Sequence, residues 1–238
     1  MLEAALLVEE IASCPVSVEA AASALISPLI DRFSIDRFAP PIALAWALNR
    51  PARYLNHAKV VCLIQDDGVL VGTPAREDIE VIDSVVAYPL ATLKSVPRGA
   101  VRFTGEVATS IRRRALIGIA AEAAGLMRGA LQQTVQYVQE RRQFGQPLGH
   151  FQAIQHRLAE DAQLVHACRT LALRAAYEDD EQHAAVACLY AQDAIRKIIY
   201  DCHQFSGAMG LTLEYPLHLW TYRLKFLQGE AGGRAEQA

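Results

Sequence analysis

The chain has 238 residues, with 23 Lys and Arg against 26 Asp and Glu, a formal charge of -3, and is 52% hydrophobic and 21% charged. A chain of this size holds one large domain or two modest ones at roughly 100–200 residues each, and the composition is that of a globular protein, not a disordered or fibrous one. The charge balance excludes the clustered basic footprint that nucleic acid or an anionic membrane requires, which leaves proteins and small molecules as expected partners.

Five cysteines, Cys14, Cys62, Cys168, Cys188 and Cys202, are widely spaced and contain no Cys-x-x-Cys pair. That pattern argues against a disulfide framework or a structural zinc site, and the expected location is a reducing cytoplasm. The start, Met1-Leu2-Glu3 with Glu9 and Glu10 close behind, lacks the basic and apolar regions of a secretory signal. No apolar run approaches the ~20 residues that span a bilayer.

From Leu2 to Ile30 an Ala/Leu-rich helical pattern is interrupted at Cys14-Pro15, since proline lacks the amide donor and disfavours helix in its predecessor; two short helices are expected. Phe38-Ala39-Pro40-Pro41 reads as a linker, and Ile42 to Leu48 as one more short helix. Between Lys59 and Thr104 β-branched runs take over: Val60 to Ile64, Val69 to Val71, Ile79 to Ile82 and Ala100 to Phe103. Asp66-Asp67-Gly68 between the first two predicts a hairpin whose glycine takes the positive φ of a tight turn. A sheet of about four strands is expected, too small for a self-sufficient barrel.

Beyond Ser110 the chain reads as helix almost throughout. Ala115 to Gln139 is apolar on most faces, as a helix at the centre of a bundle is. Phe151 to Tyr177 carries Ile154, Leu158, Ala162, Val165 and Ala172 on one stripe; Ala184 to Gln204 and Leu217 to Gln228 follow. Four helices with short connections predict a four-helix bundle, and the residues from Gly232 to Ala238 a mobile tail. The whole is mainly α with a small β segment, divided as residues 1–37, a helical remnant; 38–109, a reduced β domain; 110–229, the bundle; and 230–238, the tail.

Two stretches carry the chemistry. Tyr137-Val138-Gln139-Glu140-Arg141-Arg142-Gln143-Phe144-Gly145-Gln146-Pro147-Leu148, followed by Phe151-Gln152, is by local physics a helix end with solvated arginines, or a phosphate site built on the donor fork of Arg141 beside the amide of Gln143. Gln204-Phe205-Ser206-Gly207-Ala208-Met209-Gly210, leading to Glu214-Tyr215-Pro216, is either a helix-ending loop or a backbone open to close approach by a ligand. His150, His156 and His166 share no face with a carboxylate at ligand spacing, and no metal site is expected.

Together and in this order the two stretches resemble the signatures of acyl-CoA dehydrogenases: Glu-Arg-x-x-Phe-Gly, a following Phe-Gln, then Gln-x-x-Gly-Gly-x-Gly with Glu-Tyr-Pro. The resemblance is strong from Ala115 to about Gln228 and weak over the β segment and the first 30 residues, where Val8-Glu9-Glu10 is similar to part of a helix in the family's N-terminal domain. It implies the family's C-terminal four-helix bundle, with a reduced middle β domain and a truncated N-terminal helical domain, since family members are longer three-domain chains. It also implies FAD bound at a subunit interface. By position Arg141 would bind the pyrophosphate with Gln143, Phe144 and Gln152 beside it, while Gln204 and the Gly207-Ala208 backbone would approach the adenosine. Ala208 stands where the family has a second glycine.

The family's catalytic base is the departure. It lies either about ten residues before the Gly-Leu-Met equivalent, which falls on Ala115, or in a turn after the last bundle helix, which falls on Ala231 with Glu230 one residue away. Glu122 is a buried carboxylate off both positions. The resemblance therefore implies no catalytic residue here, with Glu230 as fallback, in a subunit similar to the degenerate partner of hetero-oligomeric dehydrogenases acting on steroid side chains. The implied partners are a catalytic subunit, an acyl-CoA and an electron-transfer flavoprotein. The alternatives are a self-sufficient homo-oligomer using Glu230, and a structural subunit without flavin.

Overall fold

The computed structural model describes residues 1–34 and 40–233, with side chains from 1–30 and 40–233. Helix α1, Leu2–Ser13, stops where Pro15 forces Cys14 into extended backbone at ψ 152°. Two further helices follow, α2, Ala21–Leu25, and α3, Ser27–Ser34. Glu19 caps α2, its carboxylate accepting from the Ala22 and Ser23 amides at 2.8 and 3.2 Å. The N-terminal segment thus holds three short helices where two are expected. Phe38 and Ala39 of the expected linker lie outside the described residues.

The β segment is larger than the sequence predicts. Strands β1, Ile42–Ala45, β3, Val60–Gln65, β4, Gly68–Gly72, and β7, Val101–Phe103, form one sheet in the order β1-β3-β4-β7. Strands β2, Pro51–Arg53, β5, Ile79–Ile82, and β6, Leu90–Leu93, form a second in the order β2-β6-β5. The short helix expected from Ile42 is strand β1, which pairs parallel to β3 with Ile42 opposite Val60. A four-residue apolar run buried on both faces has no periodicity to separate strand from helix.

The β3–β4 hairpin forms as expected, with Gln65 opposite Gly68 and Asp66-Asp67 in the turn. The role of its glycine differs, because Gly68 is not among the residues with positive φ. A Cβ on Gly68 would lie 2.5 Å from the Phe103 carbonyl oxygen, so glycine is needed here for the close approach of β7.

The remainder is the bundle: α4, Gly105–Glu140, α5, Gln152–Glu178, α6, Glu181–Ser206, and α7, His218–Leu227. Between α4 and α5 a two-stranded ribbon pairs β8, Arg142–Gln143, with β9, Gln146–Pro147. Helix α4 is buried on nearly every face from Ala115 to Leu131, and one hydrophobic core runs from α1 and α2 through β1, β3 and β4 into the bundle. Fully buried Glu9 on α1 accepts from Arg169 Nε at 3.0 Å and lies 3.5 Å from Arg128 Nη1, fastening α1 to α4 and α5.

Gly125 and Gly129 let α1 and α7 approach α4. A Cβ on Gly129 would collide with the indole nitrogen of Trp220 and stand 2.6 Å from the Ser13 carbonyl, which that indole N–H already engages at 2.8 Å. Gly129→Ala is therefore expected to destabilise the fold by about 2 kcal/mol, despite the ~1 kcal/mol by which alanine favours a helix. Denaturant unfolding with an unchanged m-value checks it; a more stable variant would contradict the packing.

Candidate functional site

The bundle topology brings the two sequence stretches to one end. Helices α4 and α6 run in the same direction, and Tyr215, beyond α6, joins them: its hydroxyl donates to the Gln133 carbonyl at 3.0 Å and its ring meets that of Tyr137 edge-on at 5.4 Å. One turn past Tyr137, the Arg141 amide donates to the Tyr137 carbonyl and α4 ends. Phe144 and Gly145, with φ of 53° and 83°, form the tight turn of the β8–β9 ribbon. Phe144 is 89% exposed, its ring meeting that of Phe151 edge-on with centroids 6.2 Å apart. Gly207, with φ 58° and ψ -143°, ends α6 in backbone suited to glycine alone, and Ala208 continues into a short 3-10 turn.

Arg141, Gln143, Phe144, Gln152, Gln204, Gly207 and Ala208 are all exposed. Among the described residues the Arg141 guanidinium has no ion pair or side-chain hydrogen bond. Gln204 and Gly207 line a cleft of about 530 Å³ with Arg196, Tyr200, His203 and Leu211. The donor set suits a dinucleotide: a guanidinium unpartnered among the described residues and the three amides of Gln143, Gln152 and Gln204 for phosphate and ribose oxygens, and a side-chain-free backbone at Gly207 for a flat ring.

Glu230 is not a surface tail residue. It is 8% exposed and opens a 3-10 turn, Glu230–Gly232, after α7. Gln192 Nε2 holds that turn by donating to the Leu227 and Glu230 carbonyls at 3.0 and 2.9 Å, and Ala231 sits in the left-handed region at φ 55°. Gly233 is buried, and residues 234–238 of the expected tail lie outside the described residues.

The Glu230 carboxylate meets Arg53 of β2, with Arg53 Nε donating to Oε1 at 3.2 Å and Nη2 2.8 Å from Oε2. Arg53 Nη1 also donates to both oxygens of Glu122 at 2.9 and 2.7 Å, and the Tyr88 hydroxyl donates to Glu122 Oε1 at 2.7 Å. The guanidinium lies over the Tyr88 ring, 4.8 Å from its centroid. Burial works against the Arg53 charge, but Glu122 and then Glu230 outweigh it and keep it cationic. Burial raises the Glu230 carboxyl above its ordinary value, with Arg53 pulling it down and Glu122 adding to the rise. Beside the cluster remains a cavity of about 20 Å³, room for a single water. Arg53 and Tyr88 carried no signal in the sequence, since an arginine after Pro51 on a three-residue strand reads as a loop cation.

Structures of known proteins share this architecture. The chain superposes on the ChsE4-ChsE5 complex from Mycobacterium tuberculosis with a TM-score of 0.81 at 19% identity, covering 99% of this chain and 78% of that one. On the Tcur3481-Tcur3483 steroid ACAD the TM-score is 0.68 at 26% identity, covering 86% and 62%. The arrangement of helical bundle and small sheets is thus that of an acyl-CoA dehydrogenase, the steroid ACAD. The family model "Acyl-CoA dehydrogenase, C-terminal domain" matches residues 108–236, more than half of the chain, and the chain belongs to the acyl-CoA dehydrogenase family. Acyl-CoA dehydrogenase FadE34 of Mycobacterium tuberculosis is 36% identical over 156 residues, 62% of this chain and 22% of FadE34. The chain spans about a fifth to a third of the length of the curated relatives FadE34 and IpdE2. No helix among the described residues is long and apolar enough to cross a membrane.

Proposed function

We propose that this chain is the non-catalytic subunit of a hetero-oligomeric, FAD-dependent acyl-CoA dehydrogenase of the cytoplasm, and that a partner subunit supplies the base. The observation that carries this is the Arg53 cluster. A base that removes the α-proton of a thioester must sit within hydrogen-bond reach of that proton. Both Glu230 oxygens face Arg53, and about 20 Å³ of space beside them admits no acyl chain. FAD, when bound, supplies the hydride acceptor for α,β-dehydrogenation. The part left to this chain is to bind and orient, with Arg141, Gln143, Phe144 and Gln152 toward the pyrophosphate and Gln204, Gly207 and Ala208 toward the adenosine. The steroid ACAD among the similar structures supports a steroid side-chain thioester as substrate and a second subunit as partner. An electron-transfer flavoprotein would reoxidise the assembly.

Turnover of the assembled complex at saturating acyl-CoA tests the assignment. Glu230→Gln is expected to leave kcat within about threefold, because the base lies in the partner. General-base catalysis typically contributes about 10²–10⁴ in rate, so a drop of a hundredfold or more would make Glu230 the base and the chain a self-sufficient enzyme. A chain that never retains flavin in any assembly would instead be a structural subunit.

A further inference from the structure

The segment between α1 and α2 has water on one side and the buried charges of the protein on the other. Residues 14–20 form neither helix nor strand, and among the described residues none of the amides from 16 to 20 donates a backbone hydrogen bond. Side chains hold the segment instead. Buried Arg223 of α7 donates to the Cys14 and Val16 carbonyls at 2.9 and 2.5 Å, and the hydroxyls of Ser17 and Tyr54 lie 3.0 Å apart. Val16 and Val18 are 49% and 51% exposed, yet both also line an interior cavity of about 10 Å³. Glu122 borders that cavity and the cavity of about 20 Å³ beside Arg53 and Glu230, and Ala20 and Ala21 line both. A segment with no backbone bonds of its own and its valines half in water belongs to the low-stability end of a fold, whereas the bundle below it is packed throughout.

We propose that residues 14–20 are a strap that opens while the bundle stays folded, with Arg223 as its latch, and that this opening is what admits water and small solutes to Glu122 and the Arg53 cluster. The inference does not depend on the flavin-interface reading. Closed, the strap keeps the cluster dry; open, it uncovers the Val16 and Val18 side of the cavity at Glu122. Two of the three carbonyls that Arg223 engages belong to the strap, and the third, of Leu219, lies in its own helix, so this guanidinium is committed to holding the segment down. A reporter lies beneath. Cys62 on β3 is fully buried, and burial pushes its thiol up to about 12, with Glu19 at the end of the strap adding to the rise. Burial pushes the Cys168 and Cys202 thiols of the bundle up to about 12 as well, so a difference in labelling rate among the three reports access, not intrinsic reactivity.

The test is labelling of the native assembled complex by a thiol reagent, in a Cys14→Ser background so that no label sits on the strap, with the modified peptides resolved by mass spectrometry. Cys62 is expected to label faster than Cys168 and Cys202. Arg223→Met should accelerate Cys62 about tenfold or more without moving the other two, and Ser17→Ala, which removes only the bond to Tyr54 at an exposed position, should accelerate it about threefold. Cys62 labelling no faster than the bundle cysteines would overturn the strap, since opening would then be global. Equal acceleration of all three by Arg223→Met would make Arg223 a general core contact and overturn the latch. Should that variant fail to assemble, an unchanged Cys62 rate in Ser17→Ala overturns the proposal by itself.

Discussion

Arg53→Met is expected to destabilise the chain by about 3–5 kcal/mol at neutral pH, the largest effect of any single substitution considered. The reason is asymmetric. An intact buried ion pair adds little net stability, because desolvation offsets most of the attraction, but removing one partner leaves the other charge buried without compensation. Arg53 is the cation for two carboxylates, Glu122 and Glu230, at 6% and 8% exposure. Methionine matches the stem's volume and removes the charge.

The pH dependence gives the effect its signature. Burial already holds the Glu230 carboxyl above its ordinary 4.5, against the pull of Arg53. Without Arg53 that rise increases, so between 4.5 and the raised folded-state value the folded chain binds more protons than the unfolded one. Stability then falls as pH rises through that window, and the deficit of Arg53→Met shrinks as pH is lowered from 7 toward 5. Denaturant midpoints at several pH values measure it. A deficit below about 1 kcal/mol, or one that grows on acidification, would mean that the cluster is solvated and open. Glu230 would then regain its candidacy as a base.

Arg141→Ala is expected to release flavin from the assembled complex by about 1.5–3 kcal/mol, roughly 10- to 150-fold in affinity, while Arg142→Ala costs much less. The two arginines are adjacent and exposed, so charge alone does not separate them. Their surroundings do. Arg142 starts the β8–β9 ribbon and turns its guanidinium back to the Gly145 carbonyl at 3.5 Å, whereas that of Arg141 has no partner among the described residues. A charged, rotamer-rich side chain with no contact in its own chain, at the end of a rigid 36-residue helix, is available to a phosphate. Flavin retention through gel filtration, read from absorbance, ranks the variants. Equal loss from both would point to a general electrostatic effect, and loss from neither would dismiss the pyrophosphate assignment.

The bundle was legible because its helices are long. Ala115 to Leu131, apolar but for Glu122 and Arg128, and three further periodic segments leave no competing period; the expected Leu217–Gln228 is observed as His218–Leu227, whereas α4 begins at Gly105, ten residues before the expected Ala115, because its first turns carry Glu106 and three arginines. The β segment was only half legible. Strands β3 and β4 announce themselves by β-branched runs around Asp66-Asp67, but β1, β2 and β6 are three or four residues long and take their conformation from pairing partners distant in sequence.

Local physics placed the stretches around Arg141 and Gln204 at helix ends, as the structure has them, while the binding roles of Arg141, Gln143, Phe144, Gln152, Gln204, Gly207 and Ala208 came from the resemblance to acyl-CoA dehydrogenases. The state of Glu230 was not legible. The sequence sets Glu230 beside Ala231-Gly232-Gly233 and so suggests a loose tail; in the fold it is anchored by Gln192 and by an arginine 177 positions earlier. Local rules see propensity, capping and turn chemistry over a few residues. Whether a carboxylate is a free base or a buried counterion depends on desolvation and on charges that only tertiary packing brings within 3 Å, and for Glu230 that packing supplied Arg53.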